Sequence, residues 1–420
     1  MFVAIENTPL RYAWGARGAL GECLGDEGAL VDPEWRAAKE RGEEPPRQAE
    51  IWFGAHHGSP SRLVEPGERG ADLARWIAAD PAATLGPFAS GFREGDGPRL
   101  PFLLKILAAG KPLSLQVHPS LEEARAGFAY EEQTGLERTA PNRTYRDPFH
   151  KPELIVALSD AFSAVVGFRE FADAKRLVAA VAGRAGQPFA PFADRVARIA
   201  SPEELQRVVA WVLSGEPEAL AAARAVDAWI AADGADFAIE RENLARIRSE
   251  FPEDAGVLTV LLMNQLRLER GEALYVPAGT IHAYLDGVGV EVMAASDNVL
   301  RGGLTTKHVD ALQLLRVLDC TPMPDPRLAP EVLGEGCIRF RGEEPDFQLH
   351  RVTGGRVEAR VEFDGPAIVL CLGGGARLRG AAGETQLRRG EAVYATPEEG
   401  PLSVLADDVV IASAGSGPAA

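Results

Sequence analysis

The chain has 420 residues, of which 46% are hydrophobic and 25% charged, and its formal net charge is −17. These values fit a folded protein of about two or three domains. The acidic balance argues against nucleic acid or an anionic membrane as the main partner. No apolar run approaches the roughly 20 residues of a membrane span, and residues 1–7 lack the features of a signal peptide. We therefore expect a cytoplasmic protein.

The first 168 residues predict a mixed, mainly β region. Short apolar runs at 50–54 and 103–107 alternate with glycine and proline, as short strands and their turns do. A short helix is expected at 72–79. Residues 114–118, Ser-Leu-Gln-Val-His, alternate polar and apolar side chains, which predicts a half-buried strand.

Residues 169–254 predict a helical subdomain. Apolar residues recur there at helical spacing, and Ser201 followed by Pro202 is a good start for one helix. The pattern then returns to strands, beginning with the apolar run 257–266 and ending near a proline-rich stretch that predicts a linker. Residues 326–420 predict short strands with glycine-rich turns.

An internal repeat relates two of the β regions. Residues 268–277 (Leu-Glu-Arg-Gly-Glu-Ala-Leu-Tyr-Val-Pro) resemble residues 387–396 (Leu-Arg-Arg-Gly-Glu-Ala-Val-Tyr-Ala-Thr), and both predict a tight turn followed by a strand. Two copies of one β unit indicate two related β-barrel domains. At the offset from the turn where the first copy has His282, the second has Pro401. We therefore expect only the first barrel to hold a metal.

Four side chains form a candidate metal site: Gln116, His118, Glu153 and His282. Gln116 and His118 are two residues apart, so on a strand both point to the same face. Glu153 precedes a buried-looking Leu-Ile-Val run, where a carboxylate is costly unless it is compensated. The donor set suits catalytic zinc, and equally manganese, iron or nickel. Spacing alone does not join these positions, and the histidines at 56–57 compete with them.

At these positions the chain resembles the type I mannose-6-phosphate isomerase (phosphomannose isomerase) family of the cupin superfamily. The resemblance covers roughly 1–160 and 255–310 in the family's order, whereas the helical segment and residues 326–420 match only in general character. The matching motifs are Tyr-Ala-Trp-Gly at 12–15, Glu-Ile-Trp-Phe-Gly-Ala-His at 50–56, Pro-Phe-Leu-Leu-Lys-Ile-Leu at 101–107, Pro-Leu-Ser-Leu-Gln-Val-His-Pro at 112–119, Tyr-Arg-Asp-Pro-Phe-His-Lys-Pro-Glu-Leu at 145–154, Pro-Ala-Gly-Thr-Ile-His-Ala-Tyr-Leu at 277–285 and the run 291–307.

The resemblance implies a fold and an activity. The fold would be mainly β with a helical insertion, comprising two cupin-type (jelly-roll) β-barrels and an α-helical subdomain. The catalytic domain would combine 1–168 with 255–325, the helical subdomain would be 169–254, and 326–420 would be a degenerate cupin-like domain. The activity would be interconversion of mannose 6-phosphate and fructose 6-phosphate through a cis-enediol, with one Zn²⁺ per chain. The family also suggests a monomer.

The same motifs assign roles to individual residues. The implied metal ligands are Gln116, His118, Glu153 and His282. The implied catalytic residues are Arg301, Glu291 and Lys151. The implied substrate or phosphate contacts are Ser114, Lys105 and Lys307. Isomerisation needs a base for the carbon-bound proton and a positive group for the developing oxyanion. Arg301 suits the second role, and the base stays open between Glu291, Lys151 and a zinc-bound water.

Two alternatives stay open. Another metal-dependent cupin enzyme, such as an iron oxygenase, would share the fold, although the glutamine ligand and the arginine and lysine set argue against it. A non-catalytic sugar-phosphate-binding protein is expected to carry a damaged ligand set, and all four ligand residues are present here. For the isomerase, the expected partner is a small sugar phosphate (mannose 6-phosphate, fructose 6-phosphate), with no nucleic acid and no membrane.

Overall fold

The computed structural model describes residues 1–25, 28–68, 70–93, 95, 97–232, 234–355 and 357–415. The fold is mainly β-sheet with several helices, and most of its strands belong to two large antiparallel sheets. Within the described part of the chain, no helix has the length and apolar character needed to cross a bilayer.

The first part of the chain alternates short strands with short helices. Its elements are β1 (Phe2–Glu6), β2 (Ala16–Arg17), α1 (Ala19–Leu24), α2 (Pro33–Arg41), β3 (Arg47–Gln48), β4 (Glu50–Phe53), β5 (Arg62–Gly67), β6 (Gly70–Asp72), α3 (Leu73–Ala79), α4 (Pro81–Leu85), β7 (Phe102–Ala109), β8 (Leu115–Val117), α5 (Leu121–Thr134), β9 (Glu153–Ala157) and β10 (Phe162–Phe168). The helix predicted at 72–79 is confirmed as α3, and Asp72 caps it by accepting from the backbone N–H of Arg75.

A run of helices follows and then leads into further strands. These elements are α6 (Phe171–Ala185), α7 (Ala190–Ala197), α8 (Pro202–Leu213), α9 (Pro217–Ile230), α10 (Ala238–Glu250), α11 (Gly256–Val260), β11 (Met263–Leu268), β12 (Ala273–Val276), β13 (His282–Ala294), β14 (Leu300–Gly303) and α12 (Ala311–Val317). The predicted helix start is confirmed, because Ser201 caps α8 by accepting from the N–H of Glu204 and Pro202 is its first residue.

The strand predicted at 257–266 is wrong in its first half. Residues 256–260 form α11, and the strand β11 begins only at Met263. Asp254 accepts from the N–H of Gly256 and starts the helical turn, whose five residues are all buried. A short apolar run fits a buried helix as well as a buried strand, so packing against the neighbouring helices decides the outcome.

The C-terminal part is almost entirely β. Its strands are β15 (Arg327–Leu328), β16 (Glu331–Gly334), β17 (Cys337–Phe340), β18 (Gln348–Thr353), β19 (Ala359–Val361), β20 (Ala367–Arg379), β21 (Glu384–Arg388), β22 (Ala392–Ala395) and β23 (Leu402–Ser413). The proline-rich stretch, which includes β15, packs against earlier strands. The N–H of Met323 donates to the carbonyl of Phe168 at the end of β10, and β15 pairs with β12.

The two sheets divide the chain differently from its linear order. The first sheet has 10 strands, β4 and β7 to β15, and the second has 11, comprising β16 to β23 with β1, β5 and β6. Strand β1, although it is N-terminal, pairs with β22. One hydrophobic core joins the sheets, since side chains of β7 and β13 such as Leu104 and Val292 pack with Leu349 and Ile368 of the second sheet.

Both copies of the repeat fold as predicted, as a tight turn followed by a strand. Gly271 and Gly390 have φ values of 92° and 82°, a region that favours glycine. In each copy the glutamate after the glycine accepts from a backbone N–H three residues earlier, Glu272 at 2.8 Å and Glu391 at 2.8 Å. In each copy the next strand after that is long: β13 has 13 residues and β23 has 12.

Strand β13 organises the first sheet. It pairs with β10, β7, β9 and β8 along its length, and it contains Gly287, whose φ is 115°. A Cβ at Gly287 would lie 2.8 Å from the carbonyl oxygen of Ala161 and 2.9 Å from the Cα of Phe162. Both neighbours are backbone atoms, so glycine is required at this position.

Gly287→Ala should lower the free energy of unfolding by about 1–3 kcal/mol, because the strained φ and the backbone clash are both imposed on the folded state. Denaturant unfolding measures the change. Gly183→Ala is the matched control: it lies exposed in α6 with open space around its Cα, so alanine should stabilise the protein by about 0.5–1 kcal/mol. Equal effects at the two positions would contradict the role given to Gly287.

Candidate metal centre

Three of the four predicted ligands meet at one buried point. Glu153 Oε1 lies 3.2 Å from His118 Nε2, and Glu153 Oε2 lies 3.2 Å from His282 Nε2. The two imidazole rings are 5.0 Å apart between centroids, and all three side chains are buried. Each residue can offer one ligand atom to a common ion, as the sequence predicted but could not demonstrate from spacing.

Strand ends position these three side chains. His118 directly follows β8, while Glu153 begins β9 and His282 begins β13. On β8, Leu115 and Val117 pack into the core formed with the helices, so the strand alternation turns Gln116 to the other face. Gln116 lies opposite His282 in the β8–β13 pair and opposite Arg301 in the β14–β8 pair. The register therefore brings the fourth predicted ligand alongside the other three.

Both imidazoles are held in the tautomer that a metal ligand needs. His118 Nδ1 lies 2.7 Å from the carbonyl oxygen of Asn298, and His282 Nδ1 lies 3.0 Å from that of Thr280. A carbonyl only accepts, so each Nδ1 carries a proton, and in the neutral form of each ring Nε2 presents a lone pair toward Glu153. Burial, reinforced by the charge of Lys151, lowers the pKa of His118 to about 4, which keeps this ring neutral.

One observation tests whether the centre fits a cation. His118 Nε2 is buried and has no hydrogen-bond partner among the described residues, although Glu153 is close to it. A buried polar atom without a partner is costly. Two neutral imidazole lone pairs facing one carboxylate form the donor set that a divalent transition metal satisfies, so the residues present fit such an ion.

Lys151 is the principal charge partner of Glu153. Its Nζ lies 3.1 Å from Glu153 Oε1. Burial raises the pKa of Glu153, but the charge of Lys151 outweighs burial and holds that pKa well below its ordinary value. The carboxylate is therefore ionised, as a metal ligand must be.

A second charged pair lies beside the centre. Lys105 Nζ is 3.0 Å from Glu291 Oε2 and 3.9 Å from Glu50 Oε1. Burial lowers the pKa of Lys105, but Glu291 and Glu50 raise it above its usual value. Burial raises the pKa of Glu291, and Lys105 only partly offsets this. The Tyr284 hydroxyl interacts with Glu291 and Glu153, and burial and those carboxylates raise its pKa well above the ordinary value.

A positively charged group lies on the side of β8 that is opposite β13. It consists of Arg301, Lys307 and Arg146. Burial lowers the pKa of Arg301, and so does the charge of Arg146. Burial, Arg301 and Arg146 likewise lower the pKa of Lys307. Cations that perturb one another in this way favour an anionic ligand. Ser114, just before β8, is half-buried.

Sequence reasoning missed several residues around the centre. They are Arg146, Glu50, Tyr284 and Asn298. Each lies inside a motif that had been noted for another residue, at 145–154, 50–56, 277–285 and 291–307. Their position within the family motifs is therefore the signal in the sequence that could have identified these residues.

Two rival histidine clusters are less suited to a metal. His56 and His57 both approach Asp297, at 3.6 Å and 3.3 Å, but the N–H of Gly58 donates to His56 Nδ1. The Nε2 of this neutral ring then carries its proton and cannot be a ligand. The other cluster, His150 with Glu344 and Asp346, already contains the cationic side chain of Arg93.

Known proteins resemble this chain over almost its whole length. The family description "Phosphomannose isomerase type I, catalytic domain" matches residues 2–171. Mannose-6-phosphate isomerase of Escherichia coli (strain K12) is 36% identical over 404 residues, covering 95% of each chain. That of Salmonella typhimurium is 34% identical and covers 94% of this chain and 95% of the relative.

Solved structures agree with the sequence comparisons. A single-residue mutant of phosphomannose isomerase from Salmonella typhimurium superposes with a TM-score of 0.84 at 33% identity, covering 98% of this chain and 99% of that one. A mannose 6-phosphate isomerase described as holo and zinc-bound gives a TM-score of 0.83 at 33% identity, with the same coverage. The chain belongs to the type I mannose-6-phosphate isomerase (phosphomannose isomerase) family.

Proposed function

We propose that this protein interconverts mannose 6-phosphate and fructose 6-phosphate with one zinc ion per chain. The observation that carries the proposal is the buried triad of His118, Glu153 and His282, in which both histidines direct an Nε2 lone pair toward the carboxylate. Relatives that share about a third of the sequence along nearly the whole chain are named as this isomerase, and one is described as zinc-bound. Neither an oxygenase nor a non-catalytic binding protein is favoured by these comparisons.

The proposed zinc ligands are Gln116, His118, Glu153 and His282. When bound, zinc supplies a Lewis acid that polarises the oxygens of the substrate. The backbone carbonyls of Asn298 and Thr280 orient the two imidazoles, and Lys151 balances the charge of Glu153.

The proton transfer is assigned to Glu291, with Lys151 and Arg301 acting on oxygen. Isomerisation moves one proton from C2 to C1 and one from the C2 hydroxyl to the C1 oxygen, with no net change in protons. We infer that Glu291, which pairs with Lys105 at 3.0 Å, removes the carbon-bound proton and returns it to C1. The ammonium of Lys151 donates to the C1 oxygen and is restored by the C2 hydroxyl proton, while Arg301 stabilises the enediolate.

The phosphate is assigned to the positively charged group. Lys307 and Arg146, together with Ser114, provide donors near Arg301, and their mutual repulsion is relieved when an anion binds. Lys105 had been expected among the polar contacts to the substrate. Its contacts with Glu291 and Glu50 support a different role, which is to balance the charge of the base and position it.

The finer description of the fold is part of this proposal. We infer two cupin-type (jelly-roll) barrels, with the catalytic domain at 1–168 and 255–325, the helical subdomain at 169–254 and a degenerate second barrel at 326–420. The matching turns of the repeat support the relation between the barrels, although β1, β5 and β6 pair within the second sheet. The proposed enzyme acts as a monomer in the cytoplasm on a small sugar phosphate.

The purified protein should convert mannose 6-phosphate in an assay that couples fructose 6-phosphate to a detectable product. Chelation should abolish the rate and added zinc should restore it, because the carbonyl is not polarised without the ion. Full activity of the metal-free protein would exclude the zinc mechanism. Oxygen uptake with the iron-loaded protein would instead support the oxygenase alternative.

His282→Ala should weaken zinc binding by at least about 100-fold, since it removes a ligand rather than an outer hydrogen bond. Metal analysis after dialysis measures the loss. His57→Ala is the control, and it should retain one zinc per chain because His57 belongs to the rival cluster. A second tightly bound zinc in the wild type would contradict the idea that the C-terminal barrel has lost its metal ligand.

Arg301→Ala should keep its zinc but lower kcat by about 10²- to 10³-fold, the usual effect of removing one donor to a developing oxyanion. Arg146→Ala should raise KM for mannose 6-phosphate far more than it lowers kcat, because it contacts the phosphate in both ground and transition states. Arg316→Ala, on the exposed face of α12, should change neither constant. Normal turnover by Arg301→Ala would refute the oxyanion role.

A further inference from the structure

A buried ion pair joins the C-terminal part of the chain to the loop that carries Lys151. Asp346 is 0% exposed, and Arg93 binds both its oxygens, Nη1 to Oδ1 at 2.7 Å and Nη2 to Oδ2 at 3.0 Å. His150 Nε2 lies 2.9 Å from the same Oδ2. His150 is also buried and is the residue directly before Lys151. One carboxylate therefore holds two side chains from the first part of the chain.

The backbone around Asp346 is firmly placed. The side chain of the next residue, Phe347, is fully buried in the core shared by the two sheets. The carbonyl of Pro345 accepts from the N–H of Gly415 at 2.9 Å. The N–H of Glu344 faces the hydroxyl of Tyr275 at 3.4 Å. The residues on both sides of Asp346 are thus held by contacts with the rest of the protein.

The loop at 149–153 is held from the opposite side by the segment that follows β13. The carbonyl of Phe149 accepts from Ser296 Oγ at 3.1 Å and Asn298 Nδ2 at 2.8 Å. The carbonyl of Pro152 accepts from the N–H of Ala294 at 3.2 Å. These are contacts to the backbone of the loop. His150 lies between Phe149 and Pro152 in the sequence. Its side chain has a short contact, 2.9 Å, with Asp346.

The charges on this contact are complementary. Burial raises the pKa of Asp346, but the hydrogen bond from His150 and the charge of Arg93 outweigh burial and lower that pKa below its ordinary value. The carboxylate is therefore ionised, and His150 Nε2 lies within hydrogen-bond distance of both its Oδ2, at 2.9 Å, and Arg93 Nη1, at 3.1 Å. Replacement by asparagine preserves the shape but removes the charge. Arg93 and His150 then keep the partly exposed Glu344, at 3.2 Å and 3.9 Å, as a nearby anion.

We propose that Asp346, from the C-terminal part of the chain, is a positioning residue for the isomerase site. It fixes His150 and thereby the loop that presents Lys151 and Glu153 to the metal and the substrate. The consequence for turnover rests on the proposed isomerase function, whereas the ordering of the loop does not. A small displacement of a reacting group is sufficient to lower a rate constant by about 10- to 100-fold.

Asp346→Asn should lower kcat for mannose 6-phosphate by about 10- to 100-fold, with KM changed by less than about threefold and one zinc retained. Hydrogen exchange, followed by mass spectrometry, should become faster in the peptide that contains 149–153, in the metal-free protein as well. Asp408→Asn is the matched control, because Asp408 also holds an arginine through both oxygens, Arg351 at 2.9 Å and 2.8 Å, but far along the chain from this loop. It should leave kcat and the exchange of 149–153 unchanged.

His150→Gln should reproduce both effects, and the double variant with Asp346→Asn should be no slower than the slower single variant. This dependence on His150 distinguishes positioning from a general loss of stability. Wild-type kcat and exchange in Asp346→Asn, or additive losses in the double variant, would overturn the proposal. If Asp346→Asn fails to fold, unchanged exchange of 149–153 in His150→Gln would overturn it equally. A wild type that does not convert mannose 6-phosphate would refute the proposed function, while the exchange data would still decide the ordering of the loop.

Discussion

The buried carboxylate of Glu153 is the constraint on which the site depends. An isolated charge in the interior costs several kcal/mol even after relaxation, and at this position Lys151 and the two histidines His118 and His282 surround it. In their neutral form the imidazoles do not donate at Nε2, because the single proton is held on Nδ1 by a backbone carbonyl. A positive ion bound by the three side chains would compensate the charge of Glu153 and use the Nε2 atoms of both histidines. Metal binding and the charge balance of the core therefore depend on the same residues.

Asn298 links the metal centre to Arg146, one of the proposed phosphate contacts. Its carbonyl orients His118, while its side chain accepts from the N–H of Arg146 at 2.7 Å and donates to the carbonyls of Asp147 and Phe149. It is 0% exposed, so its polar groups require partners within the protein. One buried amide therefore sets the position of a proposed ligand, of a proposed phosphate contact and of the loop leading to Lys151.

The distribution of charge explains how an acidic protein can take an anionic substrate. The net charge of −17 is spread over the whole molecule, but Arg301, Lys307 and Arg146 are grouped beside β8. Lys105 and Glu291 neutralise one another on the buried side. Local charge, and not the sum over the chain, determines the potential that a substrate meets in a cleft.

The sequence by itself determined the local features of this protein. The polar–apolar alternation of β8, the cap of α8 at Ser201 and the repeated turns at Gly271 and Gly390 depend on neighbouring residues, and the family motifs are contiguous stretches. Only the tertiary structure decided that 256–260 is helical, because a short apolar run has no period of its own. It also decided that Gln116 faces His282 and that Asp346 reaches His150. Such pairs are separated by many residues, and strand register and core packing across the whole chain bring them together, which no local pattern encodes.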